Sequence, residues 1–326
     1  MTRYFLGADV GATKTHVLIA DETGQALGLG TGGPGNHQRV GYDGFRQALA
    51  EAAEQALARA KVAHDQIAGA GYGVAGYDWP SEREPTLKVI RSLGFSGPFE
   101  AMNDTPIGLI AGSEDGWGVA VVAGTGCNCW GWGRDHKRLG RVTGLGPQLG
   151  EAAGATDLVT RAIQAVAHQW IKRGPATRLT EAFLQYTGTP DLDTLLEELA
   201  EGRVTIDDRA APLVFQVAAA GDRPAVEVIQ WAGCELGELA NAVIRQLELE
   251  SLVFDVVLVG SLFKGGPLLI EPMRETVHAL APGARLVRLS APPVIGAVLL
   301  GMERAGQEPT LAIRESLKRT AAEIAR

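Results

Sequence analysis

Two short segments rich in glycine and threonine have the residue types that hold a polyphosphate. They are residues 7–15, GADVGATKT, and residues 121–128, VVAGTGCN. Each joins two strand-like runs, and the period of two that follows Lys14 predicts a β-hairpin rather than a strand-to-helix loop. Glycine lets backbone N–H groups approach an anion closely, while Thr13, Lys14 and Thr125 add hydroxyl donors and a positive charge. Two such turns facing each other would hold a polyphosphate from both sides.

Asp9 is the first of two aspartates whose positions suggest chemistry. It ends a hydrophobic strand-like run just before Gly11, where a carboxylate is badly placed for a core. Asp9 could cap a turn. With Thr13 and Lys14 beside it, binding of Mg²⁺, directly or through water, is the favoured interpretation.

Asp104 is the second aspartate whose position suggests chemistry. It lies between a strand-like run near Phe99 and the pair Thr105-Pro106, which predicts a short helix beginning at Asp104. As a helix N-cap Asp104 would have a purely structural role. A carboxylate at a strand-to-helix junction facing a cleft can also accept the proton of a hydroxyl that attacks a γ-phosphate. The two roles are compatible.

A glycine-rich turn at residues 32–35 precedes Asn36 and His37. Such a turn suits close backbone contact with a flat polar ligand, which is the favoured interpretation. The alternatives are that Asn36 is an ordinary turn residue and His37 a plain loop residue.

Several other patterns are excluded as sites. The GxGxxG matches at residues 28–33 and 71–76 do not open helices, which argues against a dinucleotide site. The sequence lacks the Gly-Lys-Ser/Thr end of a Walker A loop, and its histidines show no metal-ligand spacing.

Composition narrows the class of protein. The 326 residues, of which 46% are hydrophobic, are enough for two domains. A net charge of −8 argues against an electrostatic grip on nucleic acid or an anionic membrane. The first residues run into a strand rather than a signal peptide, and the three cysteines suggest reduced thiols, so we expect a cytoplasmic protein.

The chain reads as two halves with a similar order of elements. The sequence of the first half predicts three strands at 4–10, 15–21 and 25–31, followed by a long helix at about 42–61. It then predicts a strand at 67–74, a helix at 81–93, a strand near Phe99 and a helix from Asp104. From Gly116 the order restarts, with strands near 117–123, 127–133 and 137–143 and a helix after Gly150. This suggests an internal duplication with the ligand site in a cleft between the halves.

The rest of the second half predicts mostly helices. The sequence predicts an almost continuous series of helices over residues 158–249. They are followed by a strand at 254–259, a helix from Pro267, a strand at 285–287 and two helices near 292–293 and 309.

The segments singled out above for their chemistry, in their order along the chain, resemble the actin-like sugar kinases and ATPases, in the branch that contains N-acetylglucosamine kinase and the BadF/BadG-type ATPases. They are residues 7–21, 35–37, 103–104 and 118–128. The segments 73–76 and 259–261 belong to the same ordered set, which covers most of the chain. The resemblance implies an α/β protein of two actin-like (ribonuclease H-like) domains, each a mixed five-stranded sheet flanked by helices, with a cleft between them and a helical insertion in the second. The implied domains are residues 1–114 plus about 306–326, and residues 115–305.

The resemblance also implies roles for single residues. Asp104 would be the catalytic base and Asp9 would organise Mg²⁺. ATP would be held by Gly11, Thr13, Lys14, Thr125, Gly126, Gly260, Ser261 and Lys264. The sugar would contact Asn36, His37, Gly76, Asn103, Asp104, Asn128, Gly146 and Glu151.

One segment departs from the family. Where relatives have Gly-Trp-Gly and then Gly-Asp-Glu-Gly-Ser, this chain has Leu145 for the tryptophan and Glu151-Ala-Ala-Gly154 in the second motif. Glu151 keeps the charge but is one methylene longer, a difference worth about 1–3 kcal/mol, which can redirect substrate preference.

The function expected from this resemblance is an ATP-dependent kinase that phosphorylates the 6-hydroxyl of N-acetylglucosamine or glucosamine, acting as a homodimer. One alternative is a BadF/BadG-type ATPase that acts on a protein partner and binds no sugar. Another is a non-catalytic sugar sensor, which would need no Asp104.

Overall fold

The structure is a computed structural model that describes residues 2–324, so the implied domain limits at residues 1 and 326 lie outside the described part. Its first sheet has five strands in the order β3-β2-β1-β4-β5. Strands β1–β3 form an antiparallel meander, and β4 and β5 pair in parallel on the other side of β1. The strands are β1 Tyr4–Val10, β2 Thr15–Asp21, β3 Ala26–Gly32, β4 Ile67–Val74 and β5 Phe99–Asn103.

The second sheet repeats this arrangement. Its order, β10-β9-β6-β7-β8, becomes that of the first sheet when it is read from β8. Strands β6–β8 are an antiparallel meander, and β9 and β10 continue the sheet in parallel. The strands are β6 Gly118–Ala123, β7 Cys127–Trp132, β8 Leu139–Arg141, β9 Phe254–Val259 and β10 Ala284–Arg288. The repeated pairing supports the internal duplication, and the predicted fold class is confirmed.

Eleven helices within residues 2–324 flank the sheets. In the first half they are α1 His37–Ala60, α2 Arg83–Arg91 and α3 Asp104–Gly112. The helical part of the second half contains α4 Ala155–Trp170, α5 Leu179–Thr187, α6 Leu192–Ala200, α7 Ala211–Ala219 and α8 Arg223–Leu247. The last three are α9 Pro267–Leu280, α10 Val294–Arg304 and α11 Leu311–Ile324.

Helix α1 begins five residues earlier than the sequence predicts. The side chain of Asn36 accepts a hydrogen bond from the backbone N–H of Gln38 and so caps a first turn that starts at His37. Gly41, with φ of 70°, interrupts the helix before it continues. Because the helix is interrupted at Gly41, the hydrophobic periodicity of the later turns does not extend to the first turn.

A shared apolar layer joins the two sheets. It contains Phe5 and Leu18 from the first sheet, Ala120 and Val257 from the second, and much of α3 and α10. Helix α10 approaches the first sheet closely because β1 and β4 present glycines to it. A Cβ atom at Gly71 would fall on the carbonyl oxygen of Ala297.

We expect Gly71→Val to lower the free energy of unfolding by about 1–3 kcal/mol or more, because α10 would have to move away from β4. Chemical denaturation measures the change. Gly33→Val is the matched control, since no atom beyond the neighbouring residues in the chain lies within 4 Å of the position where its Cβ would be. Equal stability of the two variants would contradict the close packing of α10.

Helix α11 returns to the first sheet. The hydroxyl of Thr320 accepts a hydrogen bond from the backbone N–H of Ala26 at 2.9 Å. Within residues 2–324, every helix is too short or too polar to cross a membrane.

Candidate active site between the two sheets

Both glycine–threonine turns are hairpin turns, as the sequence predicts. The first joins β1 to β2, and the backbone N–H of Gly11 donates to the carbonyl oxygen of Lys14 at 2.9 Å. The Gly11 carbonyl in turn accepts from Gly35, which ties the turn to the loop that carries Asn36. Thr13 and Lys14 are exposed at its tip.

The second turn joins β6 to β7 and is fastened to the start of α4. The carbonyl oxygens of Gly124 and Thr125 accept hydrogen bonds from the N–H groups of Ala155 and Thr156, at 2.8 Å and 3.1 Å. Gly126 and the Thr125 side chain face solvent. The turn therefore has fixed backbone geometry and is exposed at Thr125 and Gly126.

A cavity of about 640 Å³ lies beside this second turn. The turn residue Thr125 and the predicted adenosine residues Ser261 and Lys264 line it together. Gly260, with φ of 113°, stands at the end of β9 just before Ser261. The size suits a nucleoside-sized ligand. The cavity is completed by residues of the helical part that the sequence did not single out: Asp208, Arg209, Ala211, Pro212 and Phe215.

Asp208 is the most notable of these, because its Oδ2 accepts a hydrogen bond of 2.6 Å from the Thr125 hydroxyl. It lies in a short 3₁₀ turn, Asp208–Ala210, that leads into α7. Sequence reasoning gave no signal for it, since the two residues are 83 positions apart.

The N-cap of α3 is Asn103 rather than Asp104. The Asn103 Oδ1 accepts from the backbone N–H of Thr105 at 2.9 Å, and its Nδ2 donates to Asp78 Oδ1 at 2.9 Å. The capping role considered for Asp104 is thus wrong, because Asp104 is already the first helical residue. Its carboxylate is therefore not the cap of α3, whereas both polar atoms of buried Asn103 are occupied within the protein.

Burial and neighbouring carboxylates perturb both aspartates. Burial, and then the charge of Asp104, raise the pKa of Asp9 from 3.8 to about 7. Burial, and then the charge of Asp78, raise the pKa of Asp104 from 3.8 to about 6. Asp104 therefore lies near two other carboxylates, Asp9 near the end of β1 and Asp78 in the loop after β4, and like charges repel.

This arrangement fits a magnesium ion. A cation at Asp9 would relieve the repulsion that raises its pKa. Among residues 2–324 no group of three or more His, Cys, Asp or Glu side chains could hold a metal alone. A larger cluster is not required, because Mg²⁺ in phosphoryl-transfer sites is usually coordinated by one or two carboxylates together with water and phosphate oxygens.

The loop after β3 and the loop after β4 contact each other around Asn36. A Cβ atom at Gly76 would lie 2.6 Å from Asn36 Oδ1, so only glycine fits there, and its φ of 82° also favours glycine. Gln38 Nε2 donates to the Gly76 carbonyl at 3.2 Å. The structure thus brings together two of the predicted sugar residues.

His37 lies beneath this contact rather than at its surface. Its ring stacks on Tyr42 with centroids 4.6 Å apart, and its Nε2 lies 3.3 Å from Glu82 Oε1. The other Glu82 oxygen accepts from the N–H groups of Asp78 and Trp79. Glu82 therefore organises the loop that carries Asp78, and sequence reasoning missed both carboxylates.

Glu151 holds its own loop. Its Oε1 accepts from the backbone N–H of Thr143 at 2.6 Å, and its Oε2 accepts from the Thr143 hydroxyl at 2.8 Å and the Leu145 N–H at 3.2 Å. Gly146 and the exposed Leu145 lie on this loop, and Gly144 packs beside Asn128. The carboxylate that the sequence assigned to sugar contact is thus occupied in shaping the loop.

Cys127 does not behave as a nucleophile here. Burial, with a further contribution from the charge of Asp157, raises the pKa of its thiol to about 11. Cys127 and Cys129 are both free thiols.

Comparison with known proteins matches residues 6–301 to the model of the BadF/BadG/BcrA/BcrD ATPase family. The chain is 24% identical to the N-acetylmuramic acid/N-acetylglucosamine kinase of Clostridium acetobutylicum, over 91% of this chain and 98% of that protein. It is 26% identical to the N-acetyl-D-glucosamine kinase of Dictyostelium discoideum, over 91% and 97%. A solved structure from Chromobacterium violaceum, described as a candidate N-acetylglucosamine kinase, shares the fold with a TM-score of 0.64 at 24% identity, over 91% and 98%.

Proposed function

This chain belongs to the BadF/BadG/BcrA/BcrD ATPase family, and from that premise we propose that it is an ATP-dependent kinase of amino sugars. The acceptor is the 6-hydroxyl of N-acetylglucosamine or glucosamine. The names of the two similar kinases support the substrate class.

The observation that carries the proposal is the state of Asp104. Its carboxylate is freed from helix capping by Asn103, and its pKa is raised to about 6. A general base works best when its pKa lies near the working pH, because it is then both deprotonated and basic. Asp104 takes the proton of the sugar hydroxyl as that oxygen bonds to the γ-phosphorus and the bond to ADP breaks.

The remaining residues bind and orient the two substrates. Thr13 and Lys14 on one turn, and Thr125 and Gly126 on the other, hold the phosphates. Gly11 shapes the first turn, and Gly260, Ser261 and Lys264 border the adenosine. Asp9 would hold Mg²⁺, which when bound neutralises charge on the phosphates.

Around the sugar, Asn36, Gly76, Asn128 and Gly146 supply the contacts. Asn103 and Glu151 act by positioning their neighbours, because their polar atoms already bond within the protein. His37 acts in the same way through its Nε2, which lies against Glu82.

The resemblance also supports two broader parts of the proposal. One is a division into residues 1–114 plus 306–326 and residues 115–305, which limited proteolysis would test. The other is a cytoplasmic homodimer, whose mass sedimentation would measure.

The test of the proposed activity is ADP release from Mg-ATP with a panel of sugars, namely N-acetylglucosamine, glucosamine, N-acetylmannosamine and glucose. We expect strong stimulation by an amino sugar, and none when Asp104 is replaced by Asn. ATP turnover that no sugar changes would overturn the kinase proposal and favour an ATPase that acts on a protein partner. Sugar binding without turnover would favour a sensor.

Thr125→Val tests the second phosphate turn. In the proposed complex the Thr125 hydroxyl turns from Asp208 to a phosphate oxygen. A hydrogen bond to a charged group is worth about 1.5–3 kcal/mol, so we expect kcat/KM for ATP to fall about 10- to 100-fold. Thr125→Ser should restore most of the loss. Thr160→Val, which removes an exposed hydroxyl from α4, is the control, and a similar effect of both valine variants would refute the assignment.

A further inference from the structure

A second cavity, of about 380 Å³, lies between the two halves. Asp78 and Asn103 line it from the first half, and Trp130 of β7 and Arg141 of β8 line it from the second half. Small-molecule sites begin at about 300 Å³, so this cavity is large enough for one small ring. The roles proposed above leave Trp130 and Arg141 without a function.

This cavity adjoins the acceptor site but is separate from it. Within residues 2–324, its lining includes none of the four residues assigned to acceptor contacts, Asn36, Gly76, Asn128 and Gly146. Gly76 lies two positions before Asp78 in the loop after β4, and Asn128 lies two positions before Trp130 on the same face of β7. A ligand in the cavity would therefore lie next to the acceptor ring and not in its place.

Two buried donors in the cavity lining have no acceptor. Arg141 Nη1 and Trp130 Nε1 are buried without a hydrogen-bond partner in the described part of the chain. Leaving a buried donor unpaired is costly, and more so when it carries charge. Both atoms can only donate, so a ligand that satisfies them must bring acceptor oxygens.

The lining also offers an acceptor, and its charges balance. Asp78 Oδ1 already accepts from Asn103 Nδ2 at 2.9 Å, but a carboxylate has room for several hydrogen bonds. The charge of Asp78 offsets that of Arg141, while the third charged lining residue, Arg83, pairs with Glu84 at 3.2 Å. The matching ligand is therefore neutral and carries groups that both accept and donate, as hydroxyls do.

Aromatic rings form another part of the cavity wall. Trp79 lines the cavity and is 39% exposed. The guanidinium carbon of Arg141 lies 4.5 Å from the ring centroid of Trp79 and 5.3 Å from that of Trp130, so cation–π contact restrains Arg141. An indole surface beside fixed polar groups suits a pyranose ring, which has an apolar C–H face and a rim of hydroxyls.

The position of the cavity indicates where such a ring would be attached to the acceptor. Asn103 lines the cavity and directly precedes Asp104, the proposed base for the 6-hydroxyl. In a pyranose the 6-hydroxyl is carried on C5, whose ring neighbours are C4 and the ring oxygen that leads to C1. A substituent on O4 or O1 is therefore the one nearest to the cavity.

We propose that this cavity is a subsite for a second pyranose ring, so that the preferred acceptor is a neutral disaccharide that contains an N-acetylated amino sugar and is linked through O4 or O1. Arg141 and Trp130 donate to oxygens of the second ring, Asp78 accepts from one of its hydroxyls, and Trp79 packs against its apolar face. The inference rests on the proposed kinase activity and extends its acceptor from one ring to two.

The test compares acceptors with and without the second ring. N,N′-diacetylchitobiose, whose 1,4 linkage presents both an O4 and an O1 substituent, is compared with the methyl β-glycoside of N-acetylglucosamine, and the readout is the ratio of their kcat/KM values. We expect wild-type protein to favour the disaccharide about 10-fold or more, and Arg141→Gln to lower the ratio about 10- to 100-fold. Trp130→Phe, which keeps an aromatic ring and removes the N–H, should lower it about 2- to 10-fold.

Arg138→Gln is the matched control and should leave the ratio unchanged, because Arg138 is an exposed arginine just before β8 that does not line the cavity. An unchanged ratio in Arg141→Gln would overturn the subsite. An equal loss for both acceptors would also overturn it, since Arg141 would then act on the acceptor ring itself or on the contact between the halves. Wild-type protein that uses the methyl glycoside as well as the disaccharide, or better, would rule the subsite out directly.

Binding measured by calorimetry without ATP separates this inference from the proposed function. If no sugar is phosphorylated, the kinase proposal fails, but tighter binding of the disaccharide than of the methyl glycoside, reduced in Arg141→Gln, would still support the subsite. Equal or weaker binding of the disaccharide would reject it. If N-acetylglucosamine is phosphorylated and the disaccharide is not preferred, the subsite alone is wrong.

Discussion

Asp104→Asn is expected to lower kcat for sugar phosphorylation by about 10²- to 10⁴-fold, the usual contribution of a general base. The amide has nearly the shape of the carboxylate but cannot take the proton of the sugar hydroxyl. In wild-type protein kcat/KM should fall as the pH drops through about 6, because Asp104 is then protonated. Steady-state rates between pH 5 and 8 measure both effects.

The same variant should be more stable than wild type, which separates lost chemistry from lost folding. The pKa of Asp104 is higher in the folded state than its ordinary value of 3.8. The folded state therefore holds the proton more tightly than the unfolded state, and ionisation of Asp104 costs stability as the pH rises from about 4 through about 6. Asparagine has no such cost.

We expect Asp104→Asn to gain about 1–3 kcal/mol at pH 8 and nothing near pH 3.5, since a change in pKa of one corresponds to about 1.4 kcal/mol and partial exposure reduces the effect. Thermal unfolding without nucleotide measures the gain. Asp135→Asn should do the opposite, because the N–H groups of Arg138 and Lys137 lower the pKa of Asp135. Activity retained in Asp104→Asn, or a loss of stability at pH 8, would contradict the role given to Asp104.

Asp9→Asn is expected to lower kcat/KM for ATP about 10- to 1000-fold at limiting magnesium, and to raise the Mg²⁺ concentration needed for half-maximal rate at least 10-fold. The physical reason is that Asp9 contributes negative charge to a site that offers a metal few other protein ligands within residues 2–324. Titration of Mg²⁺ at fixed ATP measures the change.

Asp21→Asn is the control for Asp9, since Asp21 ends β2 and its Oδ1 accepts from Thr23 and Gln25 in a turn. Binding of ATP followed by fluorescence provides a second measurement that does not depend on turnover. If Asp9→Asn reduces the rate equally at all magnesium concentrations, Asp9 acts on the phosphates or the sugar and the metal assignment is wrong.

The sequence alone determined the local elements of both halves, because local periodicity and turn residues act over a few positions. The alternation after Lys14 and the glycines of the two turns correctly predicted β-hairpins at residues 10–15 and 123–127. The buried strand at residues 67–74 and the helix from Pro267 were also correct. The ordered segments were enough to identify the family, and the family match and the fold confirm that identification.

Only the tertiary structure decided which polar atoms remain free for chemistry. Whether Asn103 or Asp104 caps α3 depends on one residue of helix phase, and composition does not fix that phase. Glu151 could point to a sugar or to its own loop, and the N–H groups of Thr143 and Leu145 decided for the loop.

Contacts between distant segments were beyond any local pattern. Thr125 meets Asp208, and Arg141 meets Trp79, only because the folded chain brings separate elements together. The sequence therefore determined the scaffold and the candidate residues, since those depend on local preferences. The fold decided their charges, partners and accessibility, because desolvation and hydrogen bonding act through space rather than along the chain.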